Sequence, residues 1–72
     1  MTPDEEAKFW DSYNRHMDPR FKGVYRKGQA LFNALFVAAP ILADMIRGTD
    51  TDPFYRDDRI PAFCKQLGIV EP

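Results

Sequence analysis

The chain has 72 residues, 44% of them hydrophobic and 14% aromatic, which is enough apolar material for one small core and too short for two domains. A single Cys and a single His exclude an internal disulfide and a structural zinc site built from these ligands. A net charge of -1 argues against a general nucleic-acid coat protein.

The chain opens Met1-Thr2-Pro3-Asp4-Glu5-Glu6. This acidic start is the opposite of the basic opening of an export signal. The longest apolar run, Ala34 to Ala43, has ten residues and contains Pro40, against the roughly twenty needed to span a bilayer. The expectation is a cytoplasmic protein with a reduced thiol and no membrane partner.

Thr2-Pro3-Asp4-Glu5 is a helix start, with Thr2 and Glu5 spaced for a capping box and Pro3 suited to the first helical position. Phe9, Trp10, Tyr13 and Met17 follow at helical spacing, and core packing accounts for them better than a ligand-stacking face. Asp18-Pro19 ends this helix, because the residue before proline is driven from helical angles. A second helix is expected from Arg20 to about Ala38. Val24, Gly28, Leu31, Leu35 and Ala38 form one stripe, widened by Tyr25, Phe32, Phe36 and Ala39. Ala30, Ala34 and Val37 occupy the opposite side, so this helix is apolar almost all round. It must be enclosed by its neighbours or covered by a second copy of the chain, which makes a homodimer a competing arrangement.

Pro40 can start a third, short helix in which Ile41, Leu42, Met45 and Ile46 share a face, and Gly48 is its natural left-handed stop. Thr49 to Pro53 is rich in turn formers, with Phe54 and Tyr55 expected to pin the loop to the core. Asp57 or Asp58 caps a fourth helix lined by Ile60, Phe63 and Leu67 and ended by Gly68. The expected fold is all-α: a small single domain, residues 1–72, of three to four short helices at about 3–17, 20–38, 40–47 and 58–67.

The residue types raise three chemistries. Asp50, Asp52, Asp57 and Asp58 invite a calcium loop. Counted from Asp50, however, Phe54, Tyr55 and Pro61 stand where the loop needs a ligand, a glycine and a carboxylate, so no metal site is assigned. Cys64 and His16 are the one conceivable nucleophile–base pair. No third group to orient them, no phosphate loop and no nucleophile elbow accompanies them, so neither an enzyme nor a cofactor is expected. The segment 15–27 sets five cations against Asp18, while 1–14 and 44–58 are acidic. Arg15, Arg20, Lys22, Arg26 and Lys27, with Phe21 and Tyr25 between them, have the composition of a phosphate-and-base-stacking surface. A solvated polar face whose alkyl stems cover the core explains them better in a chain that is not basic overall.

The ordered string Gly28-Gln29-Ala30, Phe32-Asn33, Pro40, Ala43, Arg47-Gly48-Thr49, Asp52-Pro53-Phe54-Tyr55, Asp57 and Ile60 resembles the pattern of a widespread group of small uncharacterised bacteriophage and bacterial proteins. The match covers roughly residues 26 to 64. The resemblance implies a phage or prophage source and brings no chemistry with it. Physically, Gln29 and Asn33 sit one turn apart at the edge of the apolar stripe. Arg47 is spaced to hold Asp52 or Asp57 as a forked ion pair. Gln29, Asn33, Arg47, Thr49, Asp52, Tyr55 and Asp57 together read as a polar clamp on the loop rather than as a ligand site. The functional expectation is a small non-catalytic phage-type binding protein that engages a host protein. The alternative is a nucleic-acid or nucleotide binder acting through 15–27.

Overall fold

In a computed structural model, which describes residues 1–21 and 23–72, the capping box forms at the first helix. Thr2 Oγ1 accepts from the Glu5 amide at 3.2 Å, and Glu5 Oε1 accepts from the Thr2 amide at 2.8 Å. Helix α1 runs Pro3–His16 and buries Phe9, Ser12 and Tyr13. Phe9 stands edge-on to Trp10, and Trp10 edge-on to Tyr13, so the aromatic stripe is core, with Met17 left exposed at its end.

The chain does not re-enter an α-helix at Arg20. Asp18 Oδ1 captures the Arg20 amide at 2.9 Å, Pro19–Phe21 forms a single 3-10 turn, and Gly23 takes φ 82°. A helix cannot run through a left-handed residue, so α2 spans Lys27–Ala38. Val24, expected on the buried stripe, lies outside the helix and is 60% exposed.

Helix α2 is the centre of the molecule, with its most extensive packing against α1 and then α3. Leu31 and Leu35 are fully buried, and so are Ala30 and Ala34 on the other side. The chain's own elements therefore enclose most of this helix, and only Phe36 and Val37 in its last turns stand exposed. Ala39 and Pro40 turn the chain directly into α3, Pro40–Ile46, which ends before Gly48 at φ 76°. Two turns can offer the core only one stripe. Ala43 and Ile46 take it, with Leu42 half-buried, while Ile41 (79%) and Met45 (71%) are exposed, so the four apolar residues do not act as one buried face.

After α3, Asp57–Arg59 forms a 3-10 turn that leads into α4, Ile60–Leu67. Neither Asp57 nor Asp58 caps α4. The Asp58 carboxylate is taken by the Arg56 guanidinium, and Asp57 reaches back to the Gly28 amide at 3.0 Å. Asp57 thus caps α2 from 29 residues away, where the N-terminal residue Arg26 supplies no side-chain acceptor. Gly68 at φ 71° stops α4 as expected, and Ile60, Phe63 and Cys64 complete the core. The result is a small all-α single domain with no strand among the described residues.

A candidate binding cleft beside helix α2

The loop between α3 and α4 is held by its own polar groups. Asp52 is buried, and its two oxygens accept from the Gly48 amide at 2.8 Å and the Phe54 amide at 2.9 Å. Thr49 Oγ1 donates to the Ile46 carbonyl at 2.6 Å, Thr51 Oγ1 donates to Gln66 at 2.6 Å, and Arg59 donates to the Thr49 carbonyl at 3.1 Å. Pro53 is fully buried, and its carbonyl lies close to Gly28. Thr49 and Asp52 thus fix the turn around themselves, and Asp57 ties the segment to the start of α2.

The other residues of the polar set take no part in this. Arg47 forms no ion pair with Asp52 or Asp57, because both Asp52 oxygens are turned inward onto backbone N–H groups and Asp57 faces Gly28 and Arg26. Arg47 pairs with Asp44 at 3.4 Å, and its guanidinium lies over the Phe36 ring at 5.4 Å and the Phe32 ring at 5.8 Å. Gln29 and Asn33 are half-buried, and among the described residues their amides make no hydrogen bond. Tyr55 does not pin the loop. It is 81% exposed, and Phe54 alone packs inward, edge-on to Phe32 at 5.8 Å.

These departures converge on one place. Phe32, Asn33 and Phe36 from α2 face Arg47, Asp52, Phe54 and Tyr55 across a half-open cleft of about 340 Å³. Its walls are aromatic, since Tyr55 stands edge-on to Phe54 at 4.7 Å, and its charged rim is the stacked Arg47. The volume suits one large side chain or a small ligand. Four of its residues, Asn33, Arg47, Asp52 and Tyr55, belong to the polar set read from the sequence. Phe32 and Phe36 belong to the apolar stripe of α2, and Phe54 is expected to pin the loop to the core. The available signal was Phe54-Tyr55 itself, because adjacent residues on a non-helical loop rarely bury both rings.

The basic segment does not assemble into a free cationic stripe. Arg15 pairs with Asp11 at 2.5 Å and Arg20 with Asp18 at 3.1 Å. Arg26 donates to the Phe54 carbonyl and lies 3.7 Å from Asp57, and Lys27 donates to the Pro72 carbonyl. Tyr25 is half-buried, edge-on to His16 at 4.7 Å. Lys22, the remaining cation of the set, lies outside the described residues. Hydrogen bonds from the Arg20 guanidinium and backbone hold the Asp18 carboxyl below its usual range, and the Arg56 guanidinium does the same to Asp58.

Cys64 is 3% exposed, and burial pushes its thiol above its ordinary pKa. His16 Nδ1 donates to the Ser12 carbonyl at 2.7 Å, within its own helix. Among the described residues no group of three or more His, Cys, Asp or Glu side chains is placed to hold a metal ion, and no helix is long and apolar enough to cross a membrane. Comparisons with protein-family models, with curated proteins and with solved structures return no match for this chain.

Proposed function

We propose that this chain is a small non-catalytic protein-binding module that takes a segment of a partner protein into the cleft between α2 and the 47–55 loop. The observation that supports this reading is the pairing of an almost fully exposed Tyr55 with the half-exposed Phe36 on either side of an aromatic cleft. Neither ring is used by the core, and large exposed aromatics beside a polar rim are the common anchors of protein interfaces. The resemblance to phage and bacterial proteins makes the partner a bacterial host protein. The nucleic-acid alternative has less behind it, because four of its five cations already have acceptors within the chain.

A photo-crosslinking amino acid at position 55, compared with one at the exposed Asn14 on α1, tests the reading in bacterial lysate. The expected outcome is a discrete adduct from position 55 that is absent from position 14 and lost on Phe36→Ala. The same adducts from both positions, or an adduct indifferent to Phe36→Ala in a variant with unchanged circular dichroism, would refute it. A covalent dimer of this chain would show instead that the cleft meets a second copy.

A further inference from the structure

The chemistry of the cleft narrows what it accepts. Two charged side chains line it, and they are not equivalent. Asp52 is 7% exposed with each oxygen engaged by a backbone amide, so it holds the loop rather than standing open to a ligand. Arg47 is the opposite case. Its guanidinium rests on the Phe36 and Phe32 rings, and among the described residues it makes no hydrogen bond. Its single ionic contact is the exposed Asp44 at 3.4 Å, a pair of the weakly held kind. The two rings hold the guanidinium at the cleft wall by cation–π attraction, and the N–H donors that do not face Asp44 can meet a carboxylate. The Asn33 amide, on the same wall, has a donor and an acceptor available for a peptide backbone.

We infer that the cleft recognises a peptide in which a large apolar side chain stands beside a carboxylate, the apolar group entering between Phe36, Phe54 and Tyr55 and the carboxylate meeting Arg47. This inference rests on the binding reading above and specifies the chemistry of the partner. A carboxylate fits better than a phosphate dianion. Arg47 is the one guanidinium in the lining, Asp44 already offsets part of its charge, and the neighbouring Arg26 and Arg56 face Asp57 with the Phe54 carbonyl and Asp58. The lining has room for one anchor side chain, and four of its seven residues are aromatic: Phe32, Phe36, Phe54 and Tyr55.

The test is a nuclear magnetic resonance titration of the isotope-labelled chain with blocked tetrapeptides. The probes are acetyl-Gly-Asp-Trp-Gly-amide, its Asn and phosphoserine versions in place of Asp, and its Ala version in place of Trp. The Asp-Trp peptide should shift the amides of Phe36, Arg47 and Tyr55. Affinity should fall about tenfold with Asn and be lost with Ala. Arg47→Gln should abolish the preference for Asp over Asn while the need for Trp persists. Asp44→Ala, which frees Arg47, should tighten Asp-Trp binding about two- to threefold. Equal binding of the Asp and Asn peptides, a preference untouched by Arg47→Gln, tighter binding of the phosphoserine peptide, or shifts confined to other surfaces would each overturn the inference. If position 55 still captures a partner through Phe36 while the peptides show no charge preference, the binding reading stands and this specification of it falls.

Discussion

Gly28→Ala sets two physical effects against each other. An alanine in the first turn of α2 is intrinsically favoured over glycine by up to about 1 kcal/mol. The site itself opposes it. A Cβ on residue 28 would lie 2.2 Å from the Pro53 carbonyl oxygen, 2.7 Å from Asp57 Oδ1 and 3.2 Å from the Pro53 carbonyl carbon. An ordinary C···O contact is about 3.3 Å or more, so the overlap with backbone is about 1 Å. Pro53 cannot yield freely, being fully buried with its carbonyl accepting from the Arg56 amide at 3.2 Å. Overpacking of this kind costs about 1–3 kcal/mol. Expelling Asp57 from the Gly28 amide removes a helix cap worth about 1 kcal/mol. The steric and capping losses exceed the propensity gain, and the net expectation is destabilisation by about 1–3 kcal/mol. In a domain of this size that lowers Tm by roughly 5–20 °C. Thermal and urea denaturation followed by circular dichroism measure it. Asp57→Ala alone should cost about 1 kcal/mol and should cost less in the Gly28→Ala background, where the carboxylate is already displaced. A Gly28→Ala protein as stable as the parent, or more stable, would refute the close approach of the 53–57 segment to α2.

Two further outcomes test the core. Leu35 is fully buried in the middle of α2, so Leu35→Ala should destabilise by about 2–5 kcal/mol, whereas Val37→Ala, on the exposed side of the same helix, should change stability by less than about 0.5 kcal/mol; equal effects in urea denaturation would contradict the assigned orientation of the helix. Cys64 is buried with its thiol pKa raised by burial first and by Glu71 second. Its alkylation at pH 8 should therefore be slow in the native state and fast in denaturant. Because the folded state favours the neutral thiol, the stability linked to this group is intact below the ordinary thiol pKa and is lost as pH rises through that value toward the raised one. Melting curves of the parent and Cys64→Ser should diverge in that alkaline window, and parallel curves would count against the buried assignment.

Short-range signals are legible in the sequence. Thr2 and Glu5 cap α1 because both partners lie within one turn, and Gly68 stops α4 because only its own backbone is involved, whereas α3 leaves helical angles one residue before Gly48, at Arg47. Leu31 and Leu35 are core because a wide apolar stripe leaves them no other place. Gly23 was equally local. Its left-handed angle interrupts any helix through 20–26, and α2 starts at Lys27, although the apolar spacing from Val24 onward continues in helical phase.

The cleft depended on choices that no local pattern contains. Local spacing offers Asp57 or Asp58 as a cap for the helix just after them. Packing instead brings Asp57 to the start of α2, where it accepts from the Gly28 amide. Asp52 satisfies the turn around it, which denies Arg47 its expected partner and leaves the guanidinium to settle on Phe32 and Phe36. Residue type and spacing determined where helices start, stop and turn greasy, since those properties are decided within about one turn of chain. Which of two neighbouring rings faces water, and which acid meets which donor, was decided by tertiary structure, because each such choice follows from the order in which distant buried groups find partners.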